Sequence, residues 1–415
     1  MVTSASDSPR AAPLTDVGTT AEPPLGPGLA SLAQVSRRIL APLTVLAALM
    51  VLAGCTPAPP QPAPAWQQVT LPEGVRPASL AATGSTVLVG GVTPADPAPR
   101  LLRLTAGAVT GAVEPVTTDP YAQVADLISV TAAGDAVYAI GKAIGGAHSN
   151  PRLTVWDGSL ATNRLTSHPQ EFFTFGGHDA GPLLGTVVIA GEPVIFGSRT
   201  TGTGPRGVLW TRTGTTWAQQ DRVVAALASA PDRELGFGAL SGLGSHLVVA
   251  GDELGLSGGI LQSPAAFTGT VDGPWQTARL PVPDNLPAVA GQLSRATGVA
   301  CPDSGETCWF AGWVRGHALA WPVTIAADGT LRSGTPSVLA GEPDTGTDPV
   351  ALVALLGGHP AVLSNASARS LQLGCPDGWH TLPAPPGVAA AITATPEALY
   401  AVAGASLWRL PAPSC

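Results

Sequence analysis

Short apolar, β-branched segments that end in glycine recur along the chain, and each is followed, after a polar loop, by a second apolar segment. The first segments lie at Val87–Gly91, Val137–Gly141, Pro193–Gly197, Leu247–Gly251, Trp309–Gly312, Ala361–Asn365 (which ends in asparagine instead) and Tyr400–Gly404. The second segments lie at Leu101–Leu104, Leu153–Trp156, Gly207–Trp210, Gly259–Gln262, Ala318–Trp321, Ser370–Leu373 and Ser406–Arg409. The first segments recur about every 40 to 60 residues, which is the period of a β-propeller blade.

Each repeat also contains segments for the remaining strands of a four-stranded blade. An apolar lead-in suited to an inner strand precedes the first segment, as at Leu127–Ala132 and Ala389–Ala394. Several repeats add an outer segment that begins with tryptophan, as at Trp217 and Trp275. Short strands joined by Gly and Pro turns in this order predict an all-β fold, a seven-bladed β-propeller of four-stranded blades. Six blades, or a pair of β-sandwiches, is the competing interpretation.

The last repeat stops after its third strand, and a candidate for the missing strand lies at the other end of the repeat region. Trp66–Pro72 (WQQVTLP) echoes Trp275–Pro281 (WQTARLP). If this strand pairs with the last blade, neither edge of that sheet is left bare. The sequence therefore predicts that the last blade is closed by the N-terminal strand of the mature chain.

The composition supports a packed β domain and limits the partners. Fifty Gly, 42 Pro and 12% charged residues disfavour helical bundles and coiled coils. The 45% hydrophobic content and ten tryptophans indicate a core rather than disorder. The net charge is −8 and no basic run occurs, which disfavours nucleic acid as a partner.

The N-terminal part has the pattern of an export signal. Arg37 and Arg38 precede an uncharged apolar run, Ile39–Gly54, which is shorter than the roughly 20 residues that span a membrane. The run leads into Leu52–Cys55 (LAGC), which resembles the lipobox of bacterial lipoproteins at every position. This resemblance implies that Cys55 receives a diacylglyceryl thioether and becomes the mature N-terminus, so that two or more acyl chains hold it on the membrane. An uncleaved membrane anchor is the alternative.

These patterns divide the chain into four parts. Residues 1–36 are expected to be a polar, unstructured cytoplasmic extension, unless the true start codon lies further in; 37–54 are the predicted signal peptide, 55–64 a Pro-rich tether and 65–415 the propeller domain. Ser36–Leu40 also resembles part of a twin-arginine export signal, so the general and twin-arginine routes both remain open. The expected location is the extracytoplasmic face of the bacterial cell membrane, with membrane contact through the lipid on Cys55.

The cysteines agree with export. Cys301 and Cys308 flank a turn sequence, Pro302–Thr307, which would bring them together as a disulfide. Cys375 and Cys415 then pair by elimination and fasten the C-terminus. A metal site built from these four cysteines is the alternative, but their spacings fit no zinc pattern.

The strongest candidate for a functional segment is the insertion Thr166–Pro182 (TSHPQEFFTFGGHDAGP), which is unusually aromatic for a connection between repeats. Its candidate binding residues are His168, Glu171, Phe172, Phe173, His178 and Asp179. Imidazole and carboxylate groups together suit a transition metal. No diagnostic ligand spacing occurs, so the alternative is a loop whose phenylalanines fill a gap between blades while its histidines face water.

A second candidate pair, Asp252 and Glu253, directly follows a glycine-ended segment on the same expected face. Two adjacent carboxylates could bind a cation, although such a pair is also common in solvated turns. No cofactor-binding pattern occurs in the chain: the GxG strings are turns, and none joins a strand to a helix as a dinucleotide site requires.

One turn has a partial resemblance to a known propeller class. Gly214–Trp217 (GTTW) resembles the end of the Asp-box of sialidase-like propellers, but Arg212 stands where that motif has aspartate. The box is a structural turn in that family, and the inner-strand candidates here lack the arginine cluster of its active site. The resemblance therefore does not imply hydrolysis, and no other catalytic pattern is present.

The sequence favours a monomeric, non-enzymatic, lipid-anchored scaffold that binds another protein of the cell envelope. A propeller that binds or acts on carbohydrate is the alternative, because tryptophans can stack on sugar rings. Most tryptophans here occupy repeat positions, which indicates a role in blade packing.

Overall fold

The computed structural model describes residues 64–145, 150–220, 222, 224–257, 259–287, 293–341, 343 and 349–415. The predicted leader, the lipidation site Cys55 and most of the Pro-rich tether lie outside the described residues. Within them the helical elements are α1 (Pro120–Gln123), α2 (Phe172–Phe175) and a single 3₁₀ turn (Ala225–Leu227). No helix in this described part has the length and apolar character needed to cross a bilayer.

Short antiparallel strands make up almost all of the regular structure. In chain order they are β1 (Gln67–Val69), β2 (Arg76–Thr83), β3 (Thr86–Thr93), β4 (Ala98–Thr105), β5 (Ala108–Val116), β6 (Asp126–Ala133), β7 (Ala136–Ile144), β8 (Pro151–Ser159), β9 (Arg164–His168), β10 (Ala180–Ile189), β11 (Glu192–Thr201), β12 (Gly204–Thr213), β13 (Thr216–Gln219), β14 (Arg233–Leu243) and β15 (His246–Gly255). They continue as β16 (Leu261–Gly269), β17 (Trp275–Arg279), β18 (Arg295–Ala300), β19 (Thr307–Val314), β20 (His317–Ile325), β21 (Leu331–Ser333), β22 (Ser337–Val338), β23 (Val350–Leu356), β24 (His359–Asn365), β25 (Ser370–Cys375), β26 (Gly378–Leu382), β27 (Ala389–Thr395), β28 (Ala398–Ala403) and β29 (Ser406–Pro411).

The strands form six sheets in a propeller-like arrangement, which confirms the all-β prediction. Five sheets are blades of four strands in order: β10–β13, β14–β17, β18–β21 (with β22 added on β20), β23–β26, and β1-β29-β28-β27. The sixth sheet has eight strands in the order β2-β3-β4-β5-β9-β8-β7-β6.

The sheets match the predicted seven-bladed propeller of four-stranded blades only in part. The structure has five separate four-stranded blades, because two further four-stranded meanders, β2–β5 and β6–β9, are joined into one sheet. The joint is a parallel pairing of β5 with β9, from Glu114 opposite Arg164 to Val116 opposite Thr166. The pairing of the N-terminal strand with the last blade is as predicted: β1 lies antiparallel to β29, with Gln67 opposite Arg409 and Val69 opposite Leu407.

Two opposite faces of the domain can be defined from the connections. The turns from the first to the second strand of each meander lie on one side of the domain. The C-terminal ends of β2, β6, β10 and β14 show this, since they line one cavity of about 550 Å³. We call this the turn face. The connections from second to third strand and the links between meanders lie at the other ends of the strands, on what we call the loop face.

The core lies between neighbouring sheets and is built from the repeat positions. Trp156, Trp210, Trp321 and Tyr400 are among its largest fully buried side chains. The indole nitrogen of Trp321 donates to the Pro281 carbonyl oxygen at 2.8 Å, so its polar atom is also satisfied. Both predicted disulfides are present, Cys301 with Cys308 and Cys375 with Cys415.

Candidate functional site

Exposed large apolar side chains are concentrated on the loop face. Among the described residues they are Val124, Ile128, Ile144, Phe172, Phe173, Leu256, Ile260, Leu261, Leu293, Val338 and Val388. All of them except Ile128 lie in loop-face connections or at strand ends beside them, and Ile128 is the third residue of β6, counted from that face. Single exposed apolar residues need no explanation, but their restriction to one face indicates an interaction surface.

The insertion Thr166–Pro182 carries Phe173, the most exposed aromatic side chain described on this face. The buried Arg199 holds the insertion in place. The Arg199 side chain on β11 is only 5% exposed. Its guanidinium donates to the carbonyl oxygens of Phe173, Thr174 and Gly176 and to side-chain oxygens of Asp179 and Gln219, at 2.6–3.3 Å. Because the planar guanidinium carries five N–H donors, one side chain satisfies most of the carbonyls that α2 leaves unpaired.

The three phenylalanines of the insertion take different roles. Phe175 is buried, and its ring centroid lies 5.6 Å from that of Trp210, whose indole nitrogen donates to the Thr174 carbonyl oxygen at 2.7 Å. Phe172 and Phe173 are 40% and 74% exposed and contact each other edge to face. Phe175 therefore fills a gap between sheets, as the alternative interpretation of the loop predicted. Phe172 and Phe173 remain exposed on the surface.

A cavity of about 630 Å³ opens beside Phe172. Arg152 on β8 lies in its wall, with its guanidinium carbon 4.3 Å from the Phe172 ring centroid and 5.4 Å from that of Tyr121. Asp119 and Glu171 supply carboxylates to the same wall, and Asp119 also caps α1 by accepting from the Tyr121 backbone N–H. The cavity thus combines two aromatic faces with a stacked cation.

The structure separates the other predicted residues of the insertion. His168 Nε2 lies 2.7 Å from Asp157 Oδ1, and Asp157 also pairs with Arg212, in a network between two neighbouring meanders. His178 and Asp179 are exposed. Within the described residues, no three metal-ligating side chains of this segment converge.

Asp252 and Glu253 also do not converge, because consecutive residues of a strand point to opposite faces of the sheet. Asp252 Oδ2 accepts from Gln262 Nε2 at 2.7 Å. Glu253 is buried and pairs with Arg279, with Arg233 at 4.0 Å on its other oxygen. Each carboxylate therefore has its own partners. Their role in binding stays a prediction.

Gly236 leaves the space that the Asp252 carboxylate occupies. A Cβ at this position would lie 2.3 Å from Asp252 Oδ1. Burial raises the pKa of the Asp252 carboxyl above its ordinary value of 3.8, and the nearby Glu234 raises it further. The Gln262 hydrogen bond and the positive charge of Arg295 act in the opposite direction.

We expect Asp252→Asn to stabilise the domain at neutral pH. A carboxyl with a raised folded pKa keeps its proton in the fold while the unfolded chain loses it, so wild-type stability falls as pH rises from 3.8 through the folded pKa. Asparagine has no proton to lose in this pH range, so the variant keeps this stability as the pH rises. Its unfolding temperature should exceed that of wild type at pH 7, and the difference should disappear below pH 3.8. Thermal unfolding of both proteins across pH checks this; a difference independent of pH would contradict it.

Sequence reasoning missed Arg152, Tyr121 and the anchoring role of Arg199. Arg152 on strand β8 contacts Phe172, and Tyr121 on helix α1 lines the same cavity, although both lie outside the insertion. Only the tertiary arrangement brings them to this cavity. The comparisons with known proteins do not extend the description of this site: no protein-family model matches the chain, and no curated protein shows significant sequence similarity to it.

Proposed function

We propose that this chain is an exported, lipid-anchored, monomeric propeller that binds another protein of the cell envelope through its loop face, without catalysing a reaction. The observation that carries the proposal is the restriction of exposed apolar side chains to that face, with Phe172 and Phe173 held out by buried Arg199. Exposed apolar groups gathered on one face, and aromatic residues among them, are typical of protein interfaces.

The start of the described chain lies on the turn face. Gln67 lies opposite Arg409 and Val69 opposite Leu407, so the chain enters β1 from the turn face. The lipobox-like segment Leu52–Cys55 is the basis for the proposed lipid on Cys55.

We further propose that the ring has seven blades, with the eight-stranded sheet counted as two. Each meander is a complete four-stranded antiparallel unit on its own side of the β5–β9 joint. The first strands β2, β6, β10, β14, β18, β23 and β27 also contact one another in this order, and β27 contacts β2. A cyclic order of inner strands is what a closed propeller requires.

A carbohydrate-binding propeller is the second candidate. The cavity of about 630 Å³ beside Phe172 favours it, since aromatic faces and an arginine are groups that stack on and hydrogen-bond to sugars. This candidate predicts that Arg152→Ala weakens retention of the purified protein on cell-wall polysaccharide, while protein partners are unaffected.

Crosslinking in intact cells tests the first candidate. We compare wild type with Phe172→Ser/Phe173→Ser and, as a matched control, with Thr162→Ala at an exposed turn-face position. Removing two central aromatic contacts should reduce the crosslinked partner by about tenfold or more, because truncating a single aromatic anchor commonly costs over 1 kcal/mol. The control should capture the partner as wild type does. Equal capture by all three proteins would exclude these rings as the docking site.

A further inference from the structure

The C-terminal disulfide lies beside a carboxylate and an imidazole. Cys375 ends β25, Asp377 lies in the turn that follows, and His380 lies on β26. The Cys375 sulfur, an Asp377 carboxylate oxygen and a His380 ring nitrogen all lie within 4.8 Å of one another. Among the described residues this is the one group of three such side chains whose ligand atoms come so close.

The hairpin itself creates this proximity. Cys375 is opposite Gly378 and Leu373 is opposite His380, so the Cys375 and His380 side chains lie on the same face of the sheet. Asp377 Oδ1 lies 2.8 Å from His380 Nε2, which orients the imidazole. Asp377 and His380 are both exposed, so a metal ion in solution can reach them.

We propose that reduction of the Cys375–Cys415 disulfide opens a tetrahedral Zn²⁺ site formed by Cys375, Cys415, His380 and Asp377. Two thiolates, one imidazole and one carboxylate are the ligand types that bind Zn²⁺, and four ligands give its usual closed structural site. With the disulfide intact the two sulfurs are covalently joined, and only the carboxylate and the imidazole remain as good ligands.

The second sulfur lies outside the sheet. β29 ends at Pro411, so the segment that carries Cys415 belongs to no strand. In a zinc site the two sulfurs are no longer bonded to each other, and each lies about 2.3 Å from the metal, so they must move apart. A segment outside the sheet accommodates this shift without changing the pairing of any strand.

The chemistry balances with a phosphine or a dithiol as reductant. A phosphine donates two electrons to the disulfide and takes the oxygen of one water to become a phosphine oxide, while the two protons of that water convert Cys375 and Cys415 to thiols. Zn²⁺ then displaces one proton from each thiol. The segment after β29 is thus linked to β25 by a disulfide in the oxidised protein and by a metal ion in the reduced protein.

Cobalt titration tests this site directly. The full chain carrying Cys55→Ser in every sample is reduced with a phosphine, freed of reductant without air, and titrated with Co²⁺. We expect one equivalent to bind with the visible absorption of tetrahedral thiolate coordination, and Zn²⁺ to displace it. The oxidised protein should show no such absorption.

Matched variants identify the ligands. His380→Ala and Asp377→Asn leave both disulfides able to form, and each should weaken Co²⁺ binding by about tenfold or more, as expected when a ligand is lost. Cys301→Ser/Cys308→Ser removes the other disulfide and should leave the spectrum unchanged. An unchanged spectrum in Cys375→Ser/Cys415→Ser, or no absorption in reduced wild type, would overturn the proposal. Zn²⁺ content measured on the same samples reports binding without relying on colour.

Discussion

Replacing Arg199 by methionine is expected to lower the free energy of unfolding by about 3–5 kcal/mol and to release the aromatic insertion from the domain. The guanidinium is almost fully buried and satisfies three backbone carbonyls of the segment around α2. Methionine matches its apolar stem but removes the donors to the Phe173 and Gly176 carbonyls, while the Thr174 carbonyl keeps the Trp210 indole as a donor. The loss is therefore the cost of unpaired carbonyl acceptors as well as of one ion pair.

Urea unfolding and limited proteolysis measure the two parts of this effect separately. Cleavage within Thr166–Pro182 should precede global unfolding in the variant. Arg206→Met is the matched control, because Arg206 lies opposite Arg199 on β12 and its Nε has no hydrogen-bond partner. It should change stability by less than about 1 kcal/mol. Arg199→Lys should recover only part of the loss, since an ammonium has three donors instead of a planar five. Equal stability of the methionine variant and wild type would contradict the anchoring role.

Deleting residues 64–71 is expected to cost about 4 kcal/mol and to promote self-association. Val69 is buried opposite Leu407, in a core cluster that also contains Val87 and Leu104, and the Trp66 indole nitrogen donates to the Pro383 carbonyl oxygen at 2.7 Å. Burial of a valine contributes about 1.5–3 kcal/mol, and the half-buried tryptophan with its hydrogen bond supplies most of the remainder. The deletion also leaves β29 as a bare edge.

The comparison for this deletion is a chain that begins at Pro64. Both proteins lack the leader, so only β1 and its flanks differ. Urea midpoints and light scattering at several concentrations measure stability and association. If the two proteins unfold at the same urea concentration, β1 contributes nothing to the last blade and the proposed closure of the ring is wrong.

Much of the fold could be predicted because its signals are local. Gly-ended apolar segments mark individual strands. Trp66–Pro72 can be identified as a strand because its sequence is similar to that of Trp275–Pro281. Cys301 and Cys308 flank a single turn, so their pairing is also a local signal. The parallel joint of β5 with β9 has no such mark, because its partners are separated in sequence and their pairing depends on how two meanders pack.

The site was predicted less completely, for two different reasons. The position of the insertion follows from its composition, but whether a phenylalanine is buried or exposed depends on partners such as Trp210 and Arg199, which lie on other strands. The failure of Asp252 and Glu253 to converge is different. Side chains of consecutive residues in a strand point to opposite faces of the sheet, so the separation of the Asp252 and Glu253 carboxylates could have been predicted from the sequence.

The β5–β9 joint bears on how tightly this surface can bind. The insertion starts in β9, which pairs with β8 on one side and with β5 on the other. The base of Phe172 and Phe173 is therefore an internal strand of a sheet, and Arg199 fixes the segment again from β11. A surface that is already ordered loses little conformational entropy when a partner settles on it, so more of the contact energy remains as affinity. Under the proposed docking role, preorganisation of this kind would let Phe172 and Phe173 bind a partner more tightly than a free loop of the same sequence would.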